Sequence, residues 1–201
     1  GWTEGRWFKS SVAVIFGEMG DKVPEDFRKD REALSGRPFD IDAMKAVAPM
    51  MRDQWRARLM LLEERLQGGK GAGSGIYLVG MKPGLVDIHA FMNVWFMHQN
   101  LPDFVEKCFE TADLTKAWFE RLKEFEGQTP ETITSEEALK IGLNAAPRLV
   151  AATTRNEPQQ FAPGENVAVA PDDYGQVWVE GELVHADSQR VILQRTSPEA
   201  E

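Results

Sequence analysis

Residues 77–99 read YLVGMKPGLVDIHAFMNVWFMHQ, and this stretch predicts how the rest of the chain folds. A short apolar run leads into a tight connection, and the segment from Leu85 to Met97 is then apolar on almost every side. A helix with that pattern is typical of a domain interior, and at about a dozen residues it is too short for a bilayer span, which needs roughly 20. We therefore expect a buried central helix that other helices wrap.

The start of this helix is marked by Gly84 at the expected N-cap and by Asp87 three residues later. A carboxylate in that place can accept a hydrogen bond from the backbone N–H of the cap residue, and it faces the positive end of the helix dipole. Catalysis as an acid is the alternative role for Asp87. We expect the structural, capping role.

Composition and charge exclude several classes of function. The net charge of -9 argues against nucleic-acid binding, because phosphate recognition needs a basic surface. No apolar run reaches the length of a membrane span, and the first residues do not form a signal-peptide pattern. Cys108 is the single cysteine and is expected to be an inert buried thiol, which is consistent with a reducing compartment. We expect a cytoplasmic protein that binds neither nucleic acid nor membranes.

Apolar spacings of three and four residues predict further helices on both sides of the central one. These expected helices cover residues 2–19, 24–34, 40–66, 101–109, 114–125 and 138–145. Pro49 is expected to kink or restart the long helix, and Glu63 lies off its apolar stripe. The last helix begins with the capping box of residues 134–137. The glycine-rich segment 68–75 has neither phosphate-loop nor dinucleotide spacing, so we interpret it as a spacer.

The hydrophobic period changes to two near the end of the chain. Residues 151–164 are polar and contain two prolines, which indicates a linker. Apolar residues then alternate between Val167 and Leu193, a pattern typical of three or four short strands in hairpins. The sequence therefore predicts a mainly α chain: a helical bundle around a buried central helix at residues 1–150, a linker, and a small β-hairpin or barrel-like module at 165–201 whose end looks truncated.

Three motifs together resemble the all-helical C-terminal domain of glutathione transferases. The first is residues 78–88, with Gly84 where that family usually has Ser or Thr and Val86 where it usually has Ala. Residues 118–121, WFER, resemble the family's W-x-x-R helix, and residues 137–147 resemble a late helix of one fungal and bacterial subgroup. The β-module is similar to one that some proteins of that subgroup carry.

The resemblance implies a function for a longer protein rather than for this chain alone. In that family the catalytic residue and the loop that holds glutathione belong to an N-terminal thioredoxin-like domain, which has no counterpart in this sequence. We therefore expect no catalytic residue here and an inactive chain in isolation. The complete protein would conjugate glutathione, as a co-substrate rather than a cofactor, to a small electrophile in a detoxification reaction.

The resemblance also implies where an electrophile would bind. The first helix of the family's helical domain lines the acceptor pocket, which makes the following residues the candidates for substrate binding: Trp7, Phe8, Ser11, Val12 and Ile15. Aromatic and apolar side chains suit such a pocket. The alternative is that these residues belong to the core or are covered by the absent domain.

The sequence also leads to expectations about metal binding, dimer formation and an alternative function. His89 and His98 are nine residues apart and His185 is remote, whereas helical metal sites use spacings of three or four, so we expect no metal. Dimers of that family use the long helix together with the first helix and the N-terminal domain, and here Met50, Met60 and Leu61 would contribute to a homodimer face. The alternative function is a non-catalytic interaction scaffold that uses the helical domain and the β-module.

Overall fold

The computed structural model describes residues 2–68, 76–125, 127, 131–146, 161–173 and 175–196. Most of the glycine-rich spacer and most of the expected linker lie outside these residues. The chain divides into two compact units. Unit 1 contains residues 1–30 and 38–128, and unit 2 contains residues 31–37 and 129–201.

The described residues are mainly helical, and they also form one small antiparallel sheet. A π-helix (Trp2–Trp7) precedes α1 (Phe8–Met19), and a 3-10 turn (Gly20–Lys22) follows it. The remaining helices are α2 (Glu25–Ser35), α3 (Ile41–Leu66), α4 (Leu85–Asn100), α5 (Pro102–Phe109), α6 (Asp113–Lys123) and α7 (Ser135–Asn144). The strands are β1 (Asn166–Val169), β2 (Val179–Ala186) and β3 (Val191–Gln194). The predicted fold class, mainly α with a small β-module, is confirmed.

Helices α1 and α3 form the most extensive helix pair of unit 1. They approach closely at Gly17, where an added Cβ would lie 2.9 Å from backbone atoms of Met44 and Lys45. Glycine is therefore required for this contact, because a packed backbone has no room for a further methyl group. Helix α3 continues through Pro49 as one helix and does not restart there.

Helix α4 is buried along one face and exposed along the other. Ala90, Val94 and Met97 are fully buried in the core of unit 1. Leu85 and Met92, on the opposite side, are 73% and 49% exposed. The expected central helix is thus present, but its burial extends to one face only, because no described element covers the other.

Asp87 is completely buried and joins three parts of unit 1. Its Oδ2 accepts a hydrogen bond of 2.9 Å from the Gly84 N–H, which closes the first turn of α4. Its Oδ1 accepts hydrogen bonds of 2.9 Å from the Leu78 N–H and from the Trp118 indole N–H. Since Gly84 has no side chain, Asp87 provides the whole side-chain contribution to this cap.

The spacing of Trp118 and Arg121 in the WFER motif has a structural role in α6. Trp118 donates to Asp87, and Arg121, one turn later, donates from Nη2 to the Ile76 carbonyl at 2.7 Å. The Arg121 guanidinium also lies 5.8 Å from the centre of the Tyr77 ring. Both side chains of the motif therefore fix the segment that leads into α4.

The N-terminus of α6 is capped from another helix. Glu63 of α3 accepts hydrogen bonds from the Thr115 N–H and hydroxyl, both at 2.7 Å, and from the Leu114 N–H at 3.2 Å. Ala112, at the N-cap, offers no side-chain acceptor. The interpretation of Glu63 as an outward-facing residue is wrong: it is 4% exposed, because α6 needs an acceptor at that point.

Unit 2 contains α7 and the three-stranded sheet. The capping box predicted for α7 is confirmed, with Thr134 Oγ1 accepting from the Glu137 N–H and Glu137 Oε2 accepting from the Thr134 N–H. The strand order is β1-β2-β3, and both pairs are antiparallel. Strand β2 is the longest of the three and continues from residue 179 to residue 186.

The turn between β2 and β3 makes the stability of unit 2 sensitive to acid. Asp187 accepts hydrogen bonds from the His185 ring and from the Gln189 and Arg190 N–H groups, and these bonds lower the pKa of Asp187 from 3.8 to about 2. A carboxyl with a lower pKa in the folded state stabilises the fold above its unfolded pKa and loses that effect as the pH falls.

We expect Asp187 to stabilise the hairpin fully above its unfolded pKa of 3.8. This stabilisation should be lost as the pH falls towards 2. Thermal unfolding followed by circular dichroism, with wild type compared with Asp187→Asn across this interval, measures the effect. The wild type should lose more stability than the variant. An equal loss in both proteins would contradict this assignment.

Candidate functional site

The five residues that the resemblance implies for substrate binding lie on two faces of the N-terminal helix. Trp7, Ser11 and Ile15 are buried in the core of unit 1 at intervals of four residues. Phe8 is 43% exposed, and Val12, one turn later, is half-buried. The structure therefore brings Phe8 and Val12 to the surface and places the other three beneath them.

The buried face of the N-terminal helix centres on Trp7, which lies at the junction of the π-helix with α1. The Trp7 carbonyl accepts hydrogen bonds from the Ser10 hydroxyl at 2.6 Å and from the Ser11 hydroxyl at 3.3 Å. The Trp7 ring centre lies 6.0 Å from that of Trp55 on α3. Both hydroxyls are thus engaged within the helix, and their role is to support the surface above them.

An exposed apolar surface extends from α1 onto α4. The Phe8 and Phe96 rings are stacked, with their centres 5.8 Å apart and their planes at 30°. From Phe96 the surface continues along α4 through residues that follow at helical spacing and are 46–73% exposed, namely Met92, Ile88 and Leu85. These five residues, Phe8, Leu85, Ile88, Met92 and Phe96, are called the α1–α4 face below.

Sequence reasoning located one side of this surface and missed the other. The four α4 residues were assigned to the interior, because an apolar pattern shows what a side chain prefers and not which element covers it. One signal was available in the sequence: the apolar stripe of α4 is wider than a single packing face needs.

A polar border of the α1–α4 face is formed by Glu4 and His89, whose Oε1 and Nδ1 atoms are 3.6 Å apart.

Other side chains that could take part in catalysis or metal binding lie outside the α1–α4 face, and each of them already interacts with a neighbouring residue. Burial raises the pKa of the Cys108 thiol, against the smaller lowering effect of Arg56, so the reactive thiolate is disfavoured. His98 pairs with Glu106 at 3.4 Å, and His185 with Asp187 at 3.0 Å. Among the described residues no three metal-binding side chains are grouped, and no helix is both long and apolar enough to cross a bilayer.

Comparison with known proteins identifies the fold. No protein-family model matches this chain, and no curated protein matches it. The crystal structure of a GST-like protein from Pseudomonas syringae is similar to it, with a TM-score of 0.69 over 99% of this chain. This chain has the GST-like fold. The sequence identity is 22%, so the similarity is evidence for the fold alone.

The GST-like structure is substantially longer than this chain, which spans 60% of its length. The remaining part of that protein is not matched by this chain. The helices of unit 1 and the strands of unit 2 both fall within the matched region, since 99% of this chain is covered. The matched region therefore covers the small sheet as well as the helices.

Proposed function

We propose that this chain is the acceptor-binding part of a glutathione transferase-like protein that conjugates glutathione to a small electrophile. The observation that carries the proposal is the α1–α4 face: an open, aromatic surface on a chain with the GST-like fold. Phe8, a member of this face, and the half-buried Val12 one turn later are among the residues that the sequence resemblance implies for the acceptor site. Trp7, Ser11 and Ile15 support this surface from beneath.

The chemistry of such a surface is to bind and position a substrate. The stacked rings of Phe8 and Phe96 offer a flat apolar contact for an aromatic electrophile, and Met92 adds an adaptable side chain. Holding the electrophile beside a thiolate raises the reaction rate by making the encounter effectively intramolecular. The thiolate itself would be stabilised by catalytic groups in a thioredoxin-like domain of the longer protein, which would also cover the rest of the α1–α4 face.

The wider organisation of the protein is part of the same proposal. Residues 1–150 act as the helical domain, 151–164 as a linker and 165–201 as the β-module. The protein acts in the cytoplasm. A homodimer would use the exposed side chains of α3 that are 38–55% accessible, namely Met50, Met60 and Leu61.

Substitution of Phe8 by alanine in the longer protein tests the acceptor site. We expect the KM for an aromatic electrophile to rise by roughly tenfold, because loss of one ring from an apolar pocket removes about 1–3 kcal/mol of binding. The KM for glutathione should not change. Steady-state kinetics with each substrate varied in turn measures both values.

The matched control is Phe125→Ala, which removes a phenylalanine that is 63% exposed and lies outside the α1–α4 face. It should leave both KM values unchanged. If Phe8→Ala behaves like this control, or if it raises the KM for glutathione as much as that for the electrophile, the assignment of the acceptor site is wrong.

A non-catalytic interaction scaffold is the second candidate function, and exposed apolar residues of unit 2 favour it. Leu139, Ile141 and Leu143 on α7 are 44–60% exposed, and Trp178 is 67% exposed. Affinity purification of the longer protein should then retrieve one partner in stoichiometric amount, and deletion of residues 160–201 should abolish the interaction. Recovery that persists after this deletion would contradict a role for the β-module.

A further inference from the structure

We propose that the outer face of the three-stranded sheet binds an extended cationic segment of another polypeptide. This outer face is defined by side chains that border one cavity of about 910 Å³, five of them from the three strands and one, Trp178, from the residue just before β2: Asn166, Ala168, Trp178, Glu180, Glu182 and Gln194. The proposal concerns unit 2 alone. It is independent of the proposed transferase function, and neither depends on the success of the other.

The register of the sheet determines which side chains share this face. Glu182 is paired with Asn166 on β1 and with Gln194 on β3, and Glu180 is paired with Ala168. Directly paired residues project to the same side of a sheet, and alternate residues of one strand do so as well. Leu183 and His185 project to the other side, where they are buried.

The outer face is acidic and its acids are unpaired within the described part of the chain. Neither Glu180 nor Glu182 makes an ion pair with any residue that the structure describes, and their cross-strand neighbours are two amides and an alanine. Among the residues that the structure describes, Arg195, just after the end of β3, is the one cationic side chain that borders the cavity. A cationic ligand would therefore find two uncompensated carboxylates at the centre of the surface.

Trp178 supplies the second recognition element. Its indole is 67% exposed at the border of the same cavity, two residues before Glu180. Tryptophan is the aromatic side chain that attracts lysine and arginine most strongly through the face of its ring. An exposed tryptophan next to two carboxylates is thus suited to a lysine or arginine side chain, whose apolar stem packs on the ring.

The spacing of these groups favours an extended peptide as the occupant. Glu180 and Glu182 are alternate residues of β2, which places them about 6.6 Å apart, and Trp178 precedes Glu180 by the same two residues, just before the strand begins. The side chains on one face of an extended peptide repeat with the same spacing. Lysines at alternate positions of a peptide can therefore meet all three groups in register, whereas lysines placed consecutively point to opposite sides.

Binding can be measured by isothermal titration of the chain with a blocked peptide of alternating lysine and threonine. We expect this peptide to bind at least about tenfold more tightly than a peptide of identical composition with its lysines consecutive. Raising the salt concentration should weaken binding, since the contacts are exposed. Equal affinities for the two peptides, or equal affinity for spermine, would overturn the proposal, because either result indicates general attraction of polycations.

Two sets of variants locate the contact. The double substitution Glu180→Gln and Glu182→Gln should weaken binding by at least about tenfold, whereas Glu131→Gln with Glu136→Gln, which changes the net charge equally on exposed residues of the same unit, should have little effect. Trp178→Phe should retain most of the affinity and Trp178→Ala should lose it. Equal effects of the two double variants would overturn the proposal.

Discussion

Replacement of Asp87 by alanine is expected to lower the free energy of unfolding of unit 1 by about 3–5 kcal/mol. The Leu78 N–H and the Trp118 indole N–H are buried donors that lose their acceptor, and a buried donor without a partner costs about 1–3 kcal/mol. The cap of α4 is lost as well, because Gly84 has no side chain that could replace it. Urea unfolding monitored by tryptophan fluorescence reports unit 1, which contains five of the six tryptophans.

Two further variants provide comparisons for Asp87→Ala: one keeps part of the hydrogen bonding without the charge, and the other removes a carboxylate that is exposed. Asp87→Asn keeps the shape and one carbonyl acceptor, so its loss of stability should be smaller than that of the alanine variant. Asp103→Ala removes an exposed carboxylate from the first turn of α5 and should cost only a few tenths of a kcal/mol. If Asp87→Ala is no more destabilising than Asp103→Ala, the three hydrogen bonds do not hold unit 1 together.

The second large effect is expected for Glu63→Ala, at about 2–4 kcal/mol of unfolding free energy. Glu63 accepts three hydrogen bonds at the N-terminus of α6, and the Thr115 N–H and hydroxyl are buried. Loss of an N-terminal cap alone costs about 0.5–2 kcal/mol, and the buried donors left unpaired add to this. The same urea titration measures the effect.

The neighbouring residue provides the control for this prediction. Glu64 is exposed and its carboxylate makes no hydrogen bond or ion pair with the described residues, so Glu64→Ala should change stability by less than about 0.5 kcal/mol. Glu63→Gln keeps one carbonyl oxygen and should be intermediate. Equal effects of Glu63→Ala and Glu64→Ala would show that α6 does not need the cap from α3.

Local features of this fold could be predicted from the sequence. The position of α4 follows from its apolar length and from the spacing of Gly84 and Asp87, and α7 follows from its capping box. Each of these signals involves residues within one turn of each other. The strands of unit 2 were predicted for the same reason, since alternation is a property of neighbouring residues.

Long-range features could not be predicted in this way. Glu63 and Thr115 are 52 positions apart, and Asp87 and Trp118 are 31 positions apart, so no spacing rule connects them. Glu63 looks like an ordinary surface residue of an amphipathic helix until α6 is packed beside it. Its burial depends on the tertiary structure, which supplies the donors that offset the cost of removing a carboxylate from water.

The candidate site likewise combines features that the sequence predicts with features that depend on the tertiary structure. The resemblance to a known family directed attention to the first helix, but helical periodicity alone does not show which of its faces is covered. Trp7, Ser11 and Ile15 are buried in unit 1, whereas Phe8 stacks on Phe96 of α4. That stacking joins residues 88 positions apart, so it depends on the tertiary packing of α1 beside α4 and not on any local spacing.

The most direct test of the proposed function is the rate at which the longer protein containing this chain conjugates glutathione to an aromatic electrophile. We expect the conjugate to form well above the uncatalysed rate, and the protein to be retained on immobilised glutathione. The 201-residue chain alone should show neither property. Absence of both turnover and retention in the longer protein would contradict the proposal that the α1–α4 face is the acceptor wall of a glutathione transferase-like protein.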